Sequence, residues 1–398
     1  MNTFLFSLPS MEQNGTIGDL TWGISFGTLV INGVGAMPDY VEYTSAIPWY
    51  NFKTTITQII IKSGVTAIGN SVFQGCKNLT TVKIPDTVTS IGRYAFNGCQ
   101  NLTSISIPES VTSIGDYAFS DCTGLDTITI QDSITSIGGT AFDETAWYNN
   151  QPDGMVYLER ILYKYKGNMK EYTSVNIKEG TSVIASSAFS NCNGLISVII
   201  PESVTNIGSS AFYGCNNLEW VTIPRNITTI ERATFYDCTS LTSVIIPESV
   251  TSIESSAFYG CTAFAHIYVQ SISPSTIGRG SFEGIDFTSC ILHVPMEGKG
   301  NYEMADGWKN FCNIEGSDFS KIERETILDK INVWYNTTTH SIDFKNFEGI
   351  LFMAVFDMND KMVLSGSVSE GESVSVSNFP CGAYSVRIQS YTFEFQKE

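Results

Sequence analysis

Residues 88–110 read VTSIGRYAFNGCQNLTSISIPES, and this unit determines the fold because close copies of it recur along the chain. Residues 65–87 read VTAIGNSVFQGCKNLTTVKIPDT, and residues 204–226 read VTNIGSSAFYGCNNLEWVTIPRN. In two runs one phenylalanine returns every 23 residues, at Phe73, Phe96, Phe119 and Phe142, then at Phe189, Phe212, Phe235 and Phe258. The interval of 47 residues between the runs predicts one irregular turn. Such self-similarity predicts a solenoid, because each unit buries its apolar side only against its neighbours.

One repeat can be divided into a strand, a bend and a short helical turn. Ile105 and Ile107 alternate with Ser104 and Ser106, which predicts a short strand with one buried face. Pro108 ends that strand, because proline lacks the N–H that would extend a ladder. The stretch DYAFSDC (residues 116–122) then resembles one helical turn. Stacked copies predict a parallel sheet on one face of the solenoid and short helical or irregular segments on the other.

The charge and hydropathy of the chain exclude some classes of partner. The 398 residues include 22 Lys and Arg against 40 Asp and Glu, for a net charge of -18. Nucleic acid and anionic membrane both demand a basic surface, so we expect neither as a partner. No apolar run is long enough for a transmembrane helix, which takes about 18 residues or more. The start, MNTFLFSLPSM, could be a trimmed export signal or the first structural element, and the sequence leaves both open.

Seven of the ten cysteines occupy one repeat position: Cys76, Cys99, Cys122, Cys192, Cys215, Cys238 and Cys261. None has a metal-ligand spacing with histidine. Because cysteine is among the most buried residue types, we expect a column of free, buried thiols. Adjacent turns lie about 4.8 Å apart, so disulfides between them remain an alternative on distance alone.

The pattern I-x-I-P-x-S-V-T-S-I-G-x-x-A-F-x-G-C-x-x-L resembles the BspA-like leucine-rich repeats of bacterial surface proteins. The resemblance implies a right-handed leucine-rich-repeat solenoid over residues 56–318. Residues 1–55 resemble the family's N-terminal capping hairpin region, and residues 145–167 resemble a hairpin insertion found in such proteins. NYEMADGWKNFCNI resembles the segment that closes the last turn. Caps are required physically, because the terminal coils would otherwise expose their core.

The repeat disappears near residue 318, and the rest of the chain has a different pattern. Residues 319–328 are charged and polar, as expected of a linker. Short alternating runs separated by turn residues then predict a small β-sandwich over residues 329–398. FPCGAYSVRI also resembles the C-terminal sorting domains of Bacteroidetes secreted proteins, although Lys361 stands where glycine is usual. The alternative is a generic immunoglobulin-like module that holds or spaces the solenoid.

No motif with a catalytic mechanism is present, so we expect a protein that is not an enzyme and uses no cofactor. There are only three histidines, His266, His293 and His340. His266 and His293 fall diagonally on neighbouring rungs, where a metal site is conceivable. Two histidines without a third ligand argue against it, and we expect no metal.

The outer face of the sheet can be written rung by rung, because the two residues between inward apolar residues point outward. Column one is Gln58, Thr81, Ser104, Thr127, Ser174, Ser197, Trp220, Ser243 and His266. Column two is Ile60, Lys83, Ser106, Thr129, Asn176, Ile199, Thr222, Ile245 and Tyr268, with Ile291 and His293 completing the columns if the register continues. The first half is mostly Ser and Thr. The second half carries an apolar and aromatic cluster that we expect to be exposed and to bind a ligand: Ile199, Trp220, Ile245, His266 and Tyr268.

The alternative is that these side chains pack under other segments or against each other. Relatives of this type are linked to adhesion, so the resemblance implies a non-enzymatic protein, extracellular or on the cell surface. Its repeat face would be presented to a host matrix protein, another cell-surface protein or a glycan. A second hypothesis is a structural or spacer protein with no ligand on the repeat face. That hypothesis predicts that the cluster around Trp220 is covered.

Overall fold

A computed structural model describes residues 13–42, 44–317, 332–345, 350–358, 362–369, 373–388 and 391–397. It contains a parallel β-solenoid of about 11 turns and a small C-terminal sheet region, which confirms the predicted fold class. The segment MNTFLFSLPSM and the proposed linker at 319–328 lie outside the described residues. The chain divides into two compact units. The first unit consists of residues 1–166 and 183–188, and the second unit consists of residues 167–182 and 189–398.

The first unit consists of short strands with little helix. Its strands are β1 (Gln13–Ile17), β2 (Leu20–Ser25), β3 (Thr28–Gly33), β4 (Gly35–Ala36), β5 (Gln58–Ile61), β6 (Val65–Ile68), β7 (Thr81–Lys83), β8 (Ser90–Ile91), β9 (Ser104–Ser106), β10 (Ser113–Ile114), β11 (Thr127–Thr129), β12 (Ser136–Ile137), β13 (Gly154–Leu158), β14 (Ile161–Lys166) and β16 (Val183–Ile184). A 3₁₀ helix (Tyr50–Phe52) and the helix α1 (Ala146–Asn149) complete it.

The strands at the start of this unit pair antiparallel, and the strands of its coils pair in parallel. β1, β2 and β3 form an antiparallel meander, within the region where a capping hairpin was predicted. β3 then pairs in parallel with β5, and β5 with β7; β9 pairs in parallel with β11. The bends of successive coils form a second sheet in the order β12-β10-β8-β6-β4. β13 and β14 form an antiparallel hairpin inside the predicted insertion.

The fixed phenylalanines form a stack through the core of each unit. In the first unit Phe73, Phe96, Phe119 and Phe142 follow one another with ring centroids 5.1, 5.2 and 5.3 Å apart. Trp49 stacks on Phe73 at 5.6 Å, and its indole N–H donates to the carbonyl of Val72 at 3.0 Å. A large aromatic side chain thus ends the stack and covers the apolar face that a repeat would otherwise bury.

The cysteine column packs beside the phenylalanines. All ten cysteines are free, which agrees with the expectation of free thiols. In each run, every repeat cysteine after the first donates its S–H to the backbone carbonyl of the fixed phenylalanine in the preceding repeat. These bonds are Cys99 to Phe73, Cys122 to Phe96, Cys215 to Phe189, Cys238 to Phe212 and Cys261 to Phe235, with Sγ–O distances of 3.1–3.4 Å. The thiol therefore satisfies a buried backbone acceptor.

The second unit contains the later coils and the C-terminal region. Its solenoid strands are β15 (Thr173–Asn176), β17 (Leu195–Ile199), β18 (Asn206–Ile207), β19 (Trp220–Val221), β20 (Thr229–Ile230), β21 (Ser243–Ile246), β22 (Ser252–Ile253), β23 (His266–Val269), β24 (Thr276–Ile277), β25 (Ile291–Pro295) and β26 (Asn313–Ser317). Two 3₁₀ helices (Met296–Gly298 and Trp308–Asn310) flank the helix α2 (Lys299–Met304). Phe189, Phe212, Phe235, Phe258 and Phe282 form the second stack, and Trp308 packs on its end.

The C-terminal region is built from two antiparallel sheets with one shared core. Its strands are β27 (Asn332–Asn336), β28 (Ser341–Lys345), β29 (Ile350–Asp357), β30 (Met362–Ser369), β31 (Ser373–Ser375), β32 (Gly382–Ile388) and β33 (Tyr391–Lys397). The sheet orders are β27-β28-β31 and β30-β29-β32-β33. Buried side chains from both sheets, such as Phe344 and Val355, belong to one cluster. The Tyr384 hydroxyl donates to the carbonyl of Pro380 at 2.7 Å, back across the turn before β32.

Candidate functional site: the outer sheet face of the second unit

The strand register of the second unit places the variable residues in the two columns expected from the sequence. Ser197 lies opposite Trp220, and Ser243 lies opposite His266. Tyr268 lies opposite both Ile245 and His293, so the register continues into the last irregular turn. The strand β26 adds a further rung, on which Asn313 follows Ile291 and Glu315 follows His293. Sequence reasoning missed this rung because NIEGS lacks the repeat wording and shows only a weak alternation.

The exposure of this face differs from the expectation. In the first unit seven of the eight column residues are exposed: Gln58, Thr81, Lys83, Ser104, Ser106, Thr127 and Thr129. In the second unit Trp220 is only 7% exposed and Tyr268 only 5%. Ile199, Ile245 and His266 are half-buried. The prediction of an exposed aromatic cluster was therefore wrong for Trp220 and Tyr268, because large side chains on adjacent rungs cover one another.

Trp220 belongs to a small apolar cluster that is separate from the main core. Its partners are the buried Ile196 and the half-buried Ile199. Ile196 precedes column one, at a position where other repeats have the exposed residues Thr80, Thr103 and Thr242. Two isoleucines on the neighbouring strand thus flank the indole. The sequence signal was the isoleucine at a position where other repeats have threonine. The prediction missed it because Ile196 lies outside the two columns.

The indole of Trp220 carries a hydrogen-bond donor with no partner. Its Nε1 atom is buried, and no acceptor among the described residues bonds to it. Ser197 lies opposite Trp220, but its hydroxyl donates to the Ser174 hydroxyl at 2.9 Å. A buried donor left unpaired costs about 1–3 kcal/mol, so this atom needs a physical explanation.

Five polar or aromatic side chains meet at the other end of the face. His266 Nδ1 and His293 Nε2 lie 3.0 Å apart, within hydrogen-bonding distance. The Tyr268 ring stacks on the His293 ring at 4.4 Å with an angle of 8° between the planes. His293 Nδ1 lies 3.4 Å from the Ser317 hydroxyl and 3.9 Å from Glu315 Oε2. The sheet thus brings together the two histidines that the sequence placed diagonally.

Burial affects the protonation of His293 and of Tyr268. It lowers the pKa of His293 below its usual value, the nearby His266 lowers it further, and Glu315 acts in the opposite direction. Burial also raises the pKa of the Tyr268 phenol, as does the charge of Glu315. Both rings are therefore neutral near pH 7. Within the described ranges, no group of three or more His, Cys, Asp or Glu side chains is placed to hold a metal ion.

A tyrosine stack is a second feature that sequence reasoning missed. Tyr213, Tyr236 and Tyr259 each follow a fixed phenylalanine, and their rings stack at 4.7 and 4.6 Å. The equivalent positions of the first unit carry Gln74 and Asn97, whose side chains bond to each other at 3.1 Å. The signal was the repeated wording FY in three consecutive repeats. At this position the second unit has a stack of tyrosine rings, whereas the first unit has a hydrogen bond between two amide side chains.

The chain resembles several solved structures of bacterial proteins, among them the following three. A leucine rich cell surface protein from Faecalibacterium prausnitzii is 24% identical, covering 77% of this chain and 99% of its own, with a TM-score of 0.34. The pneumococcal vaccine antigen PcpA is 16% identical over 77% and 99% of the two chains, with a TM-score of 0.36. A leucine-rich repeat protein from Bacteroides ovatus is 22% identical over 76% and 100%, with a TM-score of 0.28. No protein of curated function matches the chain.

None of the helices in the described part of the chain has both the length and the apolar character needed to cross a bilayer. The model of the BspA type leucine rich repeat region matches six copies, over residues 45–151 and 161–289. These ranges cover more than half of the 398 residues and include both phenylalanine runs. The chain belongs to the BspA-type leucine-rich-repeat family.

Proposed function

We propose that this chain is an exported surface protein that binds a macromolecule through the outer sheet face of its second unit. The partner is a host matrix protein, another cell-surface protein or a glycan. The unpaired indole N–H of Trp220, on the variable face of the repeats, is the observation that carries the proposal. The family supports the location, and one of the similar structures is described as a cell surface protein.

The chemistry of the face favours recognition over catalysis. Tryptophan and tyrosine are typical anchors of interfaces, and side chains that are already packed lose little conformational entropy on binding. Ile199 and Ile245 add half-buried apolar surface on either side of the Trp220 rung. A partner that moves one apolar neighbour and offers an acceptor would pair the Trp220 N–H. Such a bond would recover the cost of a buried, unpaired donor, about 1–3 kcal/mol.

The burial of Trp220 and Tyr268 favours a second candidate function, a spacer with no ligand on this face. In that case the cluster around Trp220 only stabilises the sheet. A screen of the full-length chain against matrix proteins and glycans distinguishes the two functions. Trp220→Ala and Tyr268→Ala test the face, and Ser106→Ala in the first unit is the matched control.

Binding that is lost in Trp220→Ala and Tyr268→Ala but kept in Ser106→Ala would support the proposal. Unchanged binding in both aromatic variants would contradict the site, and the absence of any ligand would favour the spacer. Trp220→Phe separates stability from recognition, because it removes the N–H and keeps most of the apolar surface. Weaker binding by a folded Trp220→Phe protein is the expected result.

We further propose that residues 329–398 form an immunoglobulin-like module. The Tyr384–Pro380 hydrogen bond supports it, because a tyrosine near the start of a late strand bonds back in the same way in immunoglobulin folds. Surface labelling of cells that express the chain cut after residue 317 tests its role. Loss of the protein from the surface would favour a sorting domain, and retention would favour a spacer.

A further inference from the structure

The contact between His266 and His293 has room for one proton between its two nitrogens. Nδ1 of His266 and Nε2 of His293 lie 3.0 Å apart, within hydrogen-bonding distance. A neutral imidazole has one N–H and one lone pair, so one ring donates the shared proton and the other accepts it. The bond survives when one ring becomes charged, because a protonated ring still donates to a neutral one. With both rings protonated, two N–H groups point at each other and no acceptor remains.

We propose that this pair is a pH-sensitive clasp, closed while the two rings share a proton and opened when acid protonates both of them. The clasp joins β23, which carries His266, to its parallel neighbour β25, which carries His293. Ile291 lies opposite His266 in the register, so the two histidines meet on a diagonal. Repulsion between two charged rings loosens this end of the outer face, because the rings belong to adjacent strands. The clasp goes beyond the proposed function, since it works with or without a ligand on the face.

Two side chains on β26 face the far nitrogen of His293. Its Nδ1 atom lies 3.4 Å from the Ser317 hydroxyl and 3.9 Å from Glu315 Oε2. The carboxylate favours one positive charge on the pair. Its side chain is 59% exposed, so water screens much of this attraction. Glu315 therefore helps the pair to accept a first proton but does not offset the repulsion between two charged rings.

The other elements around the pair carry neutral side chains or charges that are exposed or paired. On β23 the Tyr268 ring stacks on the His293 ring at 4.4 Å, and burial raises the pKa of its phenol, so it stays neutral in acid. The residues of β21 that lie opposite β23 on this face are uncharged: Ser243 and Ile245. Residues 296–304 pack against β26 and carry the exposed Glu297 and an ion pair between Lys299 and Glu303 at 3.7 Å. Between pH 7 and pH 5 the imidazole rings are thus the groups that change their charge at this contact.

The pKa of His293 agrees with this role. Burial lowers it below the ordinary value of 6.5, and so does the nearby His266, whereas Glu315 acts in the opposite direction. The unfolded chain therefore takes up a proton at this ring more readily than the folded chain. The closed contact contributes its full stability above about pH 6.5, and this contribution is lost as the pH falls through the lower pKa of the folded state.

Hydrogen exchange of the full-length chain, measured by mass spectrometry at pH 7 and pH 5, tests whether the clasp opens. After correction for the intrinsic exchange rate at each pH, peptides that contain β25 should lose protection by about fivefold or more in acid. Peptides that contain β9, from the hydroxyl-rich face of the first unit, are the internal control and should keep their protection. Nitrogen NMR of the protein labelled at its three histidines should show both rings of the pair becoming fully protonated over the same range.

The variant His266→Gln separates the clasp from a general effect of acid. A glutamine amide can donate to a neutral His293 or accept from a protonated one, so it suits either state of the ring. This variant should keep the protection of β25 at pH 5, and its His293 should titrate at a higher pH than in the parent protein. His293→Gln is the reciprocal variant and should also keep the protection at pH 5.

The measurement on the parent protein needs no variant and is decisive by itself. Full protection of β25 at pH 5 in the parent would overturn the proposal. So would a His293 that titrates at the same pH in the parent and in His266→Gln. A folded glutamine variant that loses as much protection as the parent would assign the effect to acid in general and overturn the clasp.

Discussion

The two phenylalanine runs share their inner residues and differ in their outer ones. Ring stacking at 5.1–5.3 Å in the first run is matched by 5.3–5.4 Å in the second. The outer face of the first run is hydroxyl-rich and exposed. That of the second carries Trp220 packed against two isoleucines and, on later rungs, Tyr268 in contact with two histidines. Fixed positions thus maintain the coil, and the variable positions are free to acquire a different chemistry in each unit.

The prediction with the largest expected effect concerns the two phenylalanine stacks, which we expect to contribute equally to stability. Phe96→Ala and Phe235→Ala each remove a fully buried ring from the middle of a stack. Each should lower the free energy of unfolding by about 4 kcal/mol, through lost burial and a cavity. Denaturant titration of both variants checks this. A difference of more than about 2 kcal/mol between them would show that the two cores are not equivalent.

The second prediction concerns the outer faces. Trp220→Ala should destabilise the protein by about 3 kcal/mol, because the indole is buried against two isoleucines. Thr127→Ala, in column one of the first unit, should change stability by less than about 0.5 kcal/mol because its side chain is exposed. The same denaturant titration measures both. Equal effects at the two sites would remove the proposed difference between the faces.

The third prediction compares the two units at the position that follows the fixed phenylalanine. Asn97 is buried, accepts from Gln74 Nε2 and donates to the Ser120 carbonyl at 3.0 Å. Asn97→Ala should cost about 2 kcal/mol, because two hydrogen bonds of a buried amide are lost. Tyr236→Ala loses two stacked neighbours on a half-buried ring and should cost about 1 kcal/mol. Thermal melts of the two variants should therefore rank Asn97→Ala as the less stable protein.

The fourth prediction concerns the reactivity of the thiols and requires no mutation. Burial raises the pKa of Cys76 to about 12 and that of Cys192 to about 11, from an ordinary value of 9.0. Because a thiolate is the reactive form, Ellman's reagent at pH 8 should modify the exposed Cys312 and Cys381 first. The partly exposed Cys192 should follow, before any other member of the column. Fast reaction of Cys76 in the folded protein would contradict the packing described for the first run.

The same shifts give a pH dependence of stability. The folded state holds these thiol protons more tightly than the unfolded state, so their contribution is fully present below about pH 9. It should be lost as the pH rises from about 9 towards 12. Urea titrations at pH 8 and pH 10.5 should show the lower stability at the higher pH.

The sequence predicted the coil and its register, because fixed apolar positions at a 23-residue period allow only one stacking arrangement. Exposure was harder to predict, since it depends on which large side chains meet on adjacent rungs. Ile196 shows this: one threonine-to-isoleucine change before column one gives Trp220 an apolar partner. The separation of His266 and His293 likewise depends on ring orientation, which the spacing of residues does not specify.

The most direct test of the central claim places one charge on each outer face. Ile245→Glu alters column two of the second unit, and Ser106→Glu alters the same column of the first. With a ligand found in the matrix and glycan screen, surface plasmon resonance of the folded variants measures the affinity. The account predicts at least a tenfold loss for Ile245→Glu and an unchanged affinity for Ser106→Glu. Equal losses, or a loss confined to Ser106→Glu, would contradict it.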